Sequence, residues 1–197
     1  MMESRYEAVM SRRSMIVRLA GTALSAAGLS AFSRFGAGRT STSPWDDRFE
    51  LAVQFEIAQQ GGGRYHRPYV AVWVEDAAGH PVRTLSLWVN TSGRGPRYIR
   101  ELRKWFYSAN EQQSDLVTTV SSATRNPGQY EVVWNGRDDR GKPVEQGSYR
   151  VYIEAAREHG GYDLLQQDVR VGAQPVTAQL AGKEELARVN VEYRRRK

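Results

Sequence analysis

The sequence predicts an all-β protein, an antiparallel β-sandwich with one short crossover helix, preceded by an N-terminal export signal. Three observations support this prediction. Apolar and polar residues alternate with a period of two in seven short segments, which is typical of half-buried strands. Clusters of Gly, Asp and Asn separate the segments, and such spacing favours hairpins over βαβ units. A basic stretch followed by an apolar run near the N-terminus has the layout of an export signal.

The export signal comes first in the chain. Arg12 and Arg13 lie in the segment Ser-Arg-Arg-Ser-Met, which is similar to the twin-arginine motif, and an apolar run of small residues follows over 19–32. That run is shorter than the roughly 20 residues that a transmembrane helix needs. We therefore expect a periplasmic protein exported by the twin-arginine route, with no transmembrane domain beyond the leader. The open alternative is an uncleaved leader that acts as an N-terminal membrane anchor.

The segment boundaries follow from changes in composition. Residues 1–38 form the signal sequence, 39–45 a Ser/Thr-rich linker, 46–193 a single sandwich domain and 194–197 a basic tail. The signal sequence and the tail carry net charges of +3 and +4, whereas the whole chain carries +6. The folded body is therefore close to neutral, which predicts that the protein does not bind nucleic acid despite its basic composition.

Strand patterns are visible along the whole domain. Over 49–57, Phe, Leu, Val, Phe and Ile alternate with Glu, Ala, Gln and Glu, and valine recurs at every second position over 70–74. A polar turn leads into a third strand, and four more alternating segments follow later in the chain. These five strands are predicted over 82–89, 130–134, 148–155, 164–171 and 187–193. The residues expected in the core are Trp134, Tyr149, Val151 and either Val72 or Trp73.

One segment breaks the period of two. Between Pro96 and Asn110, large apolar residues recur at helical spacing among four basic residues, and proline suits the first turn of a helix. The pattern predicts a crossover helix that caps one end of the sandwich and buries its apolar stripe. The alternative is an aromatic and basic face that binds a membrane surface or a protein partner.

The composition excludes several kinds of chemistry. The chain has no cysteine and three scattered histidines, which excludes a disulfide framework, a thiolate metal site and a cysteine nucleophile. No nucleophile elbow or zinc-binding helix motif occurs. The spacing of Asn135, Asp138 and Asp139 does not match a calcium loop. We expect a protein that is not an enzyme and that has no metal site.

Residues 127–149 resemble a hairpin of the Ig-like domain in flagellar-hook capping proteins. The shared pattern begins with Pro-Gly-x-Tyr-x-Val-x-Trp, continues through an Asn-Gly and Asp-rich loop and ends at Gly147 and Tyr149, with Asn135 in place of the usual aspartate. The resemblance implies that the sandwich is Ig-like. It implies nothing about function.

Four further motifs, in order between about residues 46 and 172, resemble the bacterial family known as domain of unknown function 2271, predicted periplasmic proteins. The motifs are RPYVAVWVE from Arg67, RTLSLW from Arg83, SSATRNPG from Ser121 and EAAREHG from Glu154. The family has no assigned activity. The resemblance implies a setting near PepSY-type membrane proteins and a periplasmic FMN transferase, and hence a membrane-associated redox or iron-linked system. A PepSY-type membrane protein or another periplasmic protein is therefore the expected partner.

This setting draws attention to one short sequence, because FMN transferases of this kind attach flavin to threonine through a phosphoester. Their acceptor sequence is similar to D-x-x-S-G-A-T, and Thr124 ends a segment with the S-x-A-T part of that pattern. Thr118 stands where aspartate is expected and Ser122 where glycine is expected. We expect no cofactor, and the alternative is a flavin-carrying redox protein with FMN attached at Thr124.

The expected binding residues lie where strands end. Arg125 follows the Ser/Thr run, and Arg157, Glu158 and His159 lie where a strand gives way to a Gly-Gly turn. Loops at strand ends are where sandwiches usually present binding groups. We expect the two segments to meet at one end of the sandwich and to bind a partner or an anionic ligand. The open alternative is that they only close a structural ion pair.

Overall fold

The computed structural model describes residues 43–61, 65–109, 113–172 and 174–196. The predicted export signal, with Arg12 and Arg13, lies outside these residues. Within the described part of the chain, none of the helices has the length and apolar character needed to cross a membrane.

Nine strands form two sheets in the described residues. They are β1 (Phe49–Ile57), β2 (Tyr69–Asp76), β3 (Pro81–Trp88), β4 (Ser121–Ser122), β5 (Gly128–Trp134), β6 (Gly147–Ala156), β7 (Tyr162–Val171), β8 (Val176–Ala181) and β9 (Leu186–Arg195). One sheet has the order β5-β1-β9-β8 and the other the order β4-β3-β2-β6-β7. Neighbouring strands are antiparallel, except that the short β4 runs parallel to β3. The predicted all-β fold class is confirmed.

The two sheets enclose the main hydrophobic core. Alternate residues of β1 and β9 point inward from the four-stranded sheet, and alternate residues of β2 and β6 point inward from the five-stranded sheet. Trp134, Val151 and Val72 are buried in this core, and Tyr149 packs against it partly buried. The residues that the sequence places on the inner face of these strands are therefore the residues that the sandwich buries.

A second core lies on the outer face of the five-stranded sheet. Trp73 and Tyr152 stack on this face, with ring centroids 4.8 Å apart, and three helices cover them. The helices are a 3-10 helix (Gly95–Glu101), α1 (Arg103–Ala109) and α2 (Gln113–Val120). The apolar side chains of this layer include Ile99, Leu102 and Trp105. The protein thus has three layers, with the five-stranded sheet in the middle.

The helical layer differs from the predicted single helix that caps one end of the sandwich. The helices cover a sheet face instead of an end, because β2 carries large apolar side chains on both of its faces and both faces need burial. The predicted helix is divided at Leu102, where ψ is 69°, and a further helix, α2, occupies part of the Ser/Thr-rich run. The helices do form a crossover, since they connect the parallel strands β3 and β4.

Both ends of the predicted domain extend further than the composition indicated. Trp45, in the predicted linker, is buried, with its ring centroid 4.9 Å from that of Trp134. Strand β9 continues into the predicted basic tail. The guanidinium of Arg194 lies 2.9 Å from Glu50 and 3.0 Å from Glu192, so this tail residue pairs with the outer face of its own sheet.

Candidate functional site

Four connections converge at one end of the sandwich. They are the segment before β2, the segment after β3, the segment between β4 and β5 and the turn between β6 and β7. They meet because β2 begins where its antiparallel neighbours β3 and β6 end, and β4 ends at the same side as β3. The predicted residues Thr124, Arg125, Arg157, Glu158 and His159 all belong to these connections.

Two adjoining cavities at this end, which we call the cleft, have Arg67, Asn90 and Thr124 in common. The larger, of about 420 Å³, is also lined by Val89, Thr91, Ser92, Ser121, Ser122 and Ala123. The smaller, of about 250 Å³, is also lined by Tyr65, His66, Tyr69 and Glu158. Hydroxyl groups therefore dominate the larger cavity, whereas aromatic rings and a carboxylate line the smaller one.

Arg67 is the cation in the shared wall of the cleft. Its Nε donates a hydrogen bond of 2.8 Å to Oδ1 of Asn126, which orients the guanidinium. No carboxylate of the described residues forms an ion pair with it. An arginine held in this way, beside hydroxyl groups, can bind a carboxylate or phosphate group through paired hydrogen bonds.

The segment after β3 has a rigid geometry. Oδ1 of Asn90 accepts hydrogen bonds of 3.0 Å from both the backbone N–H and the hydroxyl of Ser92. A Cβ atom at Gly95 would lie 2.2 Å from the backbone oxygen of Asn90, so only glycine permits this close approach. The hydroxyl of Tyr69 donates to the carbonyl of Gly95. This wall of the cleft is therefore preformed.

Glu158 is the carboxylate of the smaller cavity, and two histidines flank it. Nδ1 of His66 lies 3.9 Å from one of its oxygens, and Nε2 of His159 lies 3.9 Å from the other. A hydrogen bond with Glu158 raises the pKa of Tyr98 above its usual value. His159 adopts a φ of 53° in the turn, and its side chain is 84% exposed. Each histidine forms an ion pair here only when it is protonated.

Arg157 does not line the cleft, although its guanidinium carbon lies 5.9 Å from the centroid of the Tyr65 ring, which does. Its Nη2 lies 3.0 Å from the carboxylate of Glu185, whose side chain is fully buried. Burial raises the pKa of Glu185, although the Arg157 guanidinium opposes this shift. Removing one partner of a buried pair leaves the other charge uncompensated, which is strongly destabilising. Arg157 thus ties the β6–β7 turn to the segment before β9.

Asp163 holds the segment that carries Glu185. Its carboxylate accepts hydrogen bonds from four successive backbone N–H groups, those of residues 183–186, over 2.8–3.1 Å. Burial alone would raise the pKa of Asp163, but the four donors outweigh it and the pKa lies below its usual value. This carboxylate is therefore occupied by backbone groups and serves the fold.

Arg125 lies beside the cleft on an aromatic surface. Its guanidinium carbon is 4.7 Å from the centroid of the Trp88 ring and 5.4 Å from that of the Tyr130 ring. These are cation–π distances. Of the predicted site residues, Thr124 and Glu158 thus line the same cavity, Arg125 lies on the neighbouring surface and Arg157 belongs to a structural ion pair.

Sequence reasoning did not select Arg67 and Asn90. Arg67 opens a motif quoted for the family resemblance, but a single arginine before a strand is not distinctive. Asn90 follows a strand end, where asparagine is common in turns. Among the residues that the structure describes, no three His, Asp or Glu side chains gather as metal ligands.

A family model described as "Predicted periplasmic protein (DUF2271)" matches residues 50–188. The chain belongs to the DUF2271 family. The match begins in β1 and ends in β9, so DUF2271 covers both sheets, the helical layer and the cleft. The family description supports a periplasmic location. The resemblance of the hairpin to flagellar-hook capping proteins, and the twin-arginine route, stay predictions.

Comparison with other proteins adds little to the DUF2271 assignment. No curated protein matches the chain. A solved structure described as "Structure of a C2 domain" is 11% identical and covers 74% of this chain and 94% of that chain, with a TM-score of 0.31. A TM-score this low carries no argument about fold or function.

Proposed function

We propose that this protein is a periplasmic binding module without catalytic activity, and that its cleft holds an anionic group of a ligand or partner. The observation that carries the proposal is the position of Arg67, whose oriented guanidinium lies in the shared wall of two polar cavities. The predicted site residues Thr124 and Glu158 line the same cleft. Arg125 extends its basic character on the adjoining surface.

The two sides of the cleft favour different chemical groups. Arg67 and the hydroxyls of the larger cavity suit a carboxylate or phosphate. Glu158, with the rings of Tyr65 and Tyr69, suits a hydrogen-bond donor or a cationic group. A molecule that carries both groups would be held in one orientation. We expect the physiological partner to belong to a membrane-associated redox or iron-linked system, in keeping with the family resemblance, and a PepSY-type membrane protein fits that setting.

The test uses inorganic phosphate and citrate as probes, at constant ionic strength. We expect both anions to raise the melting temperature of the wild type, and Arg67→Gln to abolish this increase. The matched control is Arg170→Gln, which removes an exposed arginine from β7, on the edge of the five-stranded sheet. If the anions stabilise Arg67→Gln as much as they stabilise the wild type and the control, the cleft is not the anion site.

The second candidate is the flavin-carrying protein, and the position of Thr124 is what favours it. Thr124 is half-buried, lines both cavities and shares them with Arg67, which suits the phosphate of FMN. The larger cavity has no aromatic residue in its lining for the flavin ring, and Thr118 lies in α2, where its hydroxyl donates to the carbonyl of Ser114. The larger cavity thus suits the phosphate, and the aromatic rings of the cleft, those of Tyr65 and Tyr69, line only the smaller cavity.

Intact mass and visible absorbance distinguish the two candidates. A protein purified from its native periplasm that is colourless and has the mass of the polypeptide alone supports the binding module. A yellow protein with the added mass of FMN, both lost in Thr124→Val, would establish the flavin carrier instead. Thr119→Val, on the exposed side of α2, is the control for the substitution.

A further inference from the structure

The helical layer presents a row of arginines to the solvent, which we call the basic row: Arg94, Arg97, Arg100 and Arg103. All four are exposed. In a 3-10 helix, side chains three residues apart lie above one another, and the first three of these arginines follow that spacing along the Gly95–Glu101 helix. At about 2 Å of rise per residue, they extend along roughly 12 Å.

The fold uses the basic row only through two ring contacts: the guanidinium carbon of Arg103 lies 4.9 Å from the centroid of the Tyr162 ring, and that of Arg100 lies 5.9 Å from the centroid of the Phe106 ring. Ile99, Leu102 and Trp105 alternate with the arginines and are buried on the opposite side of the helical layer. Arg103 has one carboxylate nearby, that of Glu101 at 3.7 Å, and both side chains are exposed. Arg94, Arg97 and Arg100 form no ion pair with any carboxylate that the structure describes. Their charges are therefore available to a partner.

The row is a local concentration of charge on a body that is close to neutral. Residues 43–196, which include all of β9, carry a net charge of about +1, so an anionic partner would be attracted by local clusters such as this row and not by the net charge of the folded part. The two cavities of the cleft are lined by none of the four arginines. A linear array outside a pocket suits an extended anionic surface better than a small ligand.

An exposed aromatic ring accompanies the row. Tyr107 in α1 is 81% exposed, and Phe106 beside it lies 5.9 Å from the guanidinium carbon of Arg100. Tyrosine is enriched where proteins meet the headgroup region of a membrane, because its ring packs against the apolar chains while its hydroxyl forms hydrogen bonds with water and headgroups. Arginine beside it pairs with lipid phosphates.

We propose that the basic row and Tyr107 form a docking surface for a phospholipid bilayer that contains anionic lipids. A periplasmic protein has such a bilayer within reach, and the charge of the row complements it. Each basic residue near an anionic surface strengthens binding about fivefold, so the row alone would give a reversible attachment. This surface is separate from the cleft, and the proposal does not depend on the proposed function.

The test measures co-sedimentation of the periplasmic protein with vesicles of phosphatidylcholine alone, or with one third phosphatidylglycerol. We expect binding to the anionic vesicles that 0.5 M salt abolishes, because salt at this concentration screens surface charge. The triple variant Arg94→Gln, Arg97→Gln, Arg100→Gln should lower the partition coefficient about a hundredfold. Tyr107→Ser should lower it severalfold.

Two controls make the result specific. The variant Arg140→Gln, Arg170→Gln, Arg188→Gln removes the same charge from exposed positions on other elements, and Arg195→Gln with Arg196→Gln tests the C-terminal basic tail. We expect each to change the partition coefficient less than fivefold, and circular dichroism should show all variants folded. The proposal is overturned if either control variant loses as much binding as the triple variant, if the protein binds both kinds of vesicle equally, or if it binds neither.

Discussion

Replacement of Trp134 by alanine tests the register of the sandwich. Trp134 is the last residue of β5 and is 1% exposed. Its ring packs against Trp45 and Tyr149, with centroid distances of 4.9 and 5.2 Å. Its Nε1 donates a 2.8 Å hydrogen bond to the carbonyl of Arg137, which anchors the loop after the strand. The substitution therefore removes packing and a hydrogen bond together.

The expected loss of stability is large. Truncation of a buried tryptophan to alanine costs about 3–5 kcal/mol, and the lost hydrogen bond adds about 1 kcal/mol. Because such contributions are not additive for one side chain, we expect the free energy of unfolding to fall by about 4–5 kcal/mol. For a domain of this size, this loss lowers the melting temperature by roughly 10–15 °C.

The measurement is urea unfolding followed by far-UV circular dichroism, with Val133→Ala as the matched control. Val133 precedes Trp134 in the same strand but faces outward and is 45% exposed, so its truncation should cost under about 1 kcal/mol. A one-residue shift of the strand would exchange the two faces. The inward assignment of Trp134 would be refuted if Trp134→Ala cost less than about 1 kcal/mol, or if Val133→Ala cost more than Trp134→Ala.

Three further predictions concern export and the fold. Arg12→Lys combined with Arg13→Lys should leave the protein in the cytoplasm, and normal export of this variant in a fractionation experiment would exclude the twin-arginine route. Asp163→Asn should destabilise the protein at pH 7, because the fold stabilises the ionised carboxylate and thereby lowers its pKa. The difference in stability from the wild type should shrink as the pH falls below about 3.8, the usual pKa of the carboxyl. A difference that does not depend on pH in unfolding experiments would contradict this. Gly136→Ala should lower the free energy of unfolding by about 2–3 kcal/mol, since φ at this residue is 74° and the new Cβ would lie 2.0 Å from the Trp45 ring. Unchanged stability in thermal unfolding would show that the ring moves aside.

The strands were predictable because their signal is local. In β1, alternation over nine residues defines the observed limits Phe49–Ile57, and the same pattern predicts which face of β5 carries Trp134. Strand β8 was not predicted. Its alternation is regular but short: Val176, Ala178 and Leu180 alternate with exposed residues and are only half-buried, because β8 lies at the edge of the four-stranded sheet.

The position of the helices depended on the tertiary structure. The sequence shows Tyr69, Ala71 and Trp73 on the second face of β2, but alternation does not say what covers that face. The structure covers it with the helical layer, which makes the sheet a middle layer. A buried carboxylate links the helical layer to the sheet. Glu154 on β6 accepts hydrogen bonds from the backbone N–H groups of Lys104 and Trp105 at the start of α1. Burial raises the pKa of Glu154.

The cleft also depended on the tertiary structure, although its location at strand ends did not. The sequence alone determined an alternating, turn-rich chain with polar residues such as Thr124 and Glu158 in its connections. It could not determine that Arg67 and Asn90, which are 23 positions apart, share a wall with them. Nor could the sequence determine that Arg157 forms an ion pair with the buried Glu185 and does not line the cleft. Alternation and turns depend on neighbours in the chain, whereas contacts between connections depend on the pairing of distant strands.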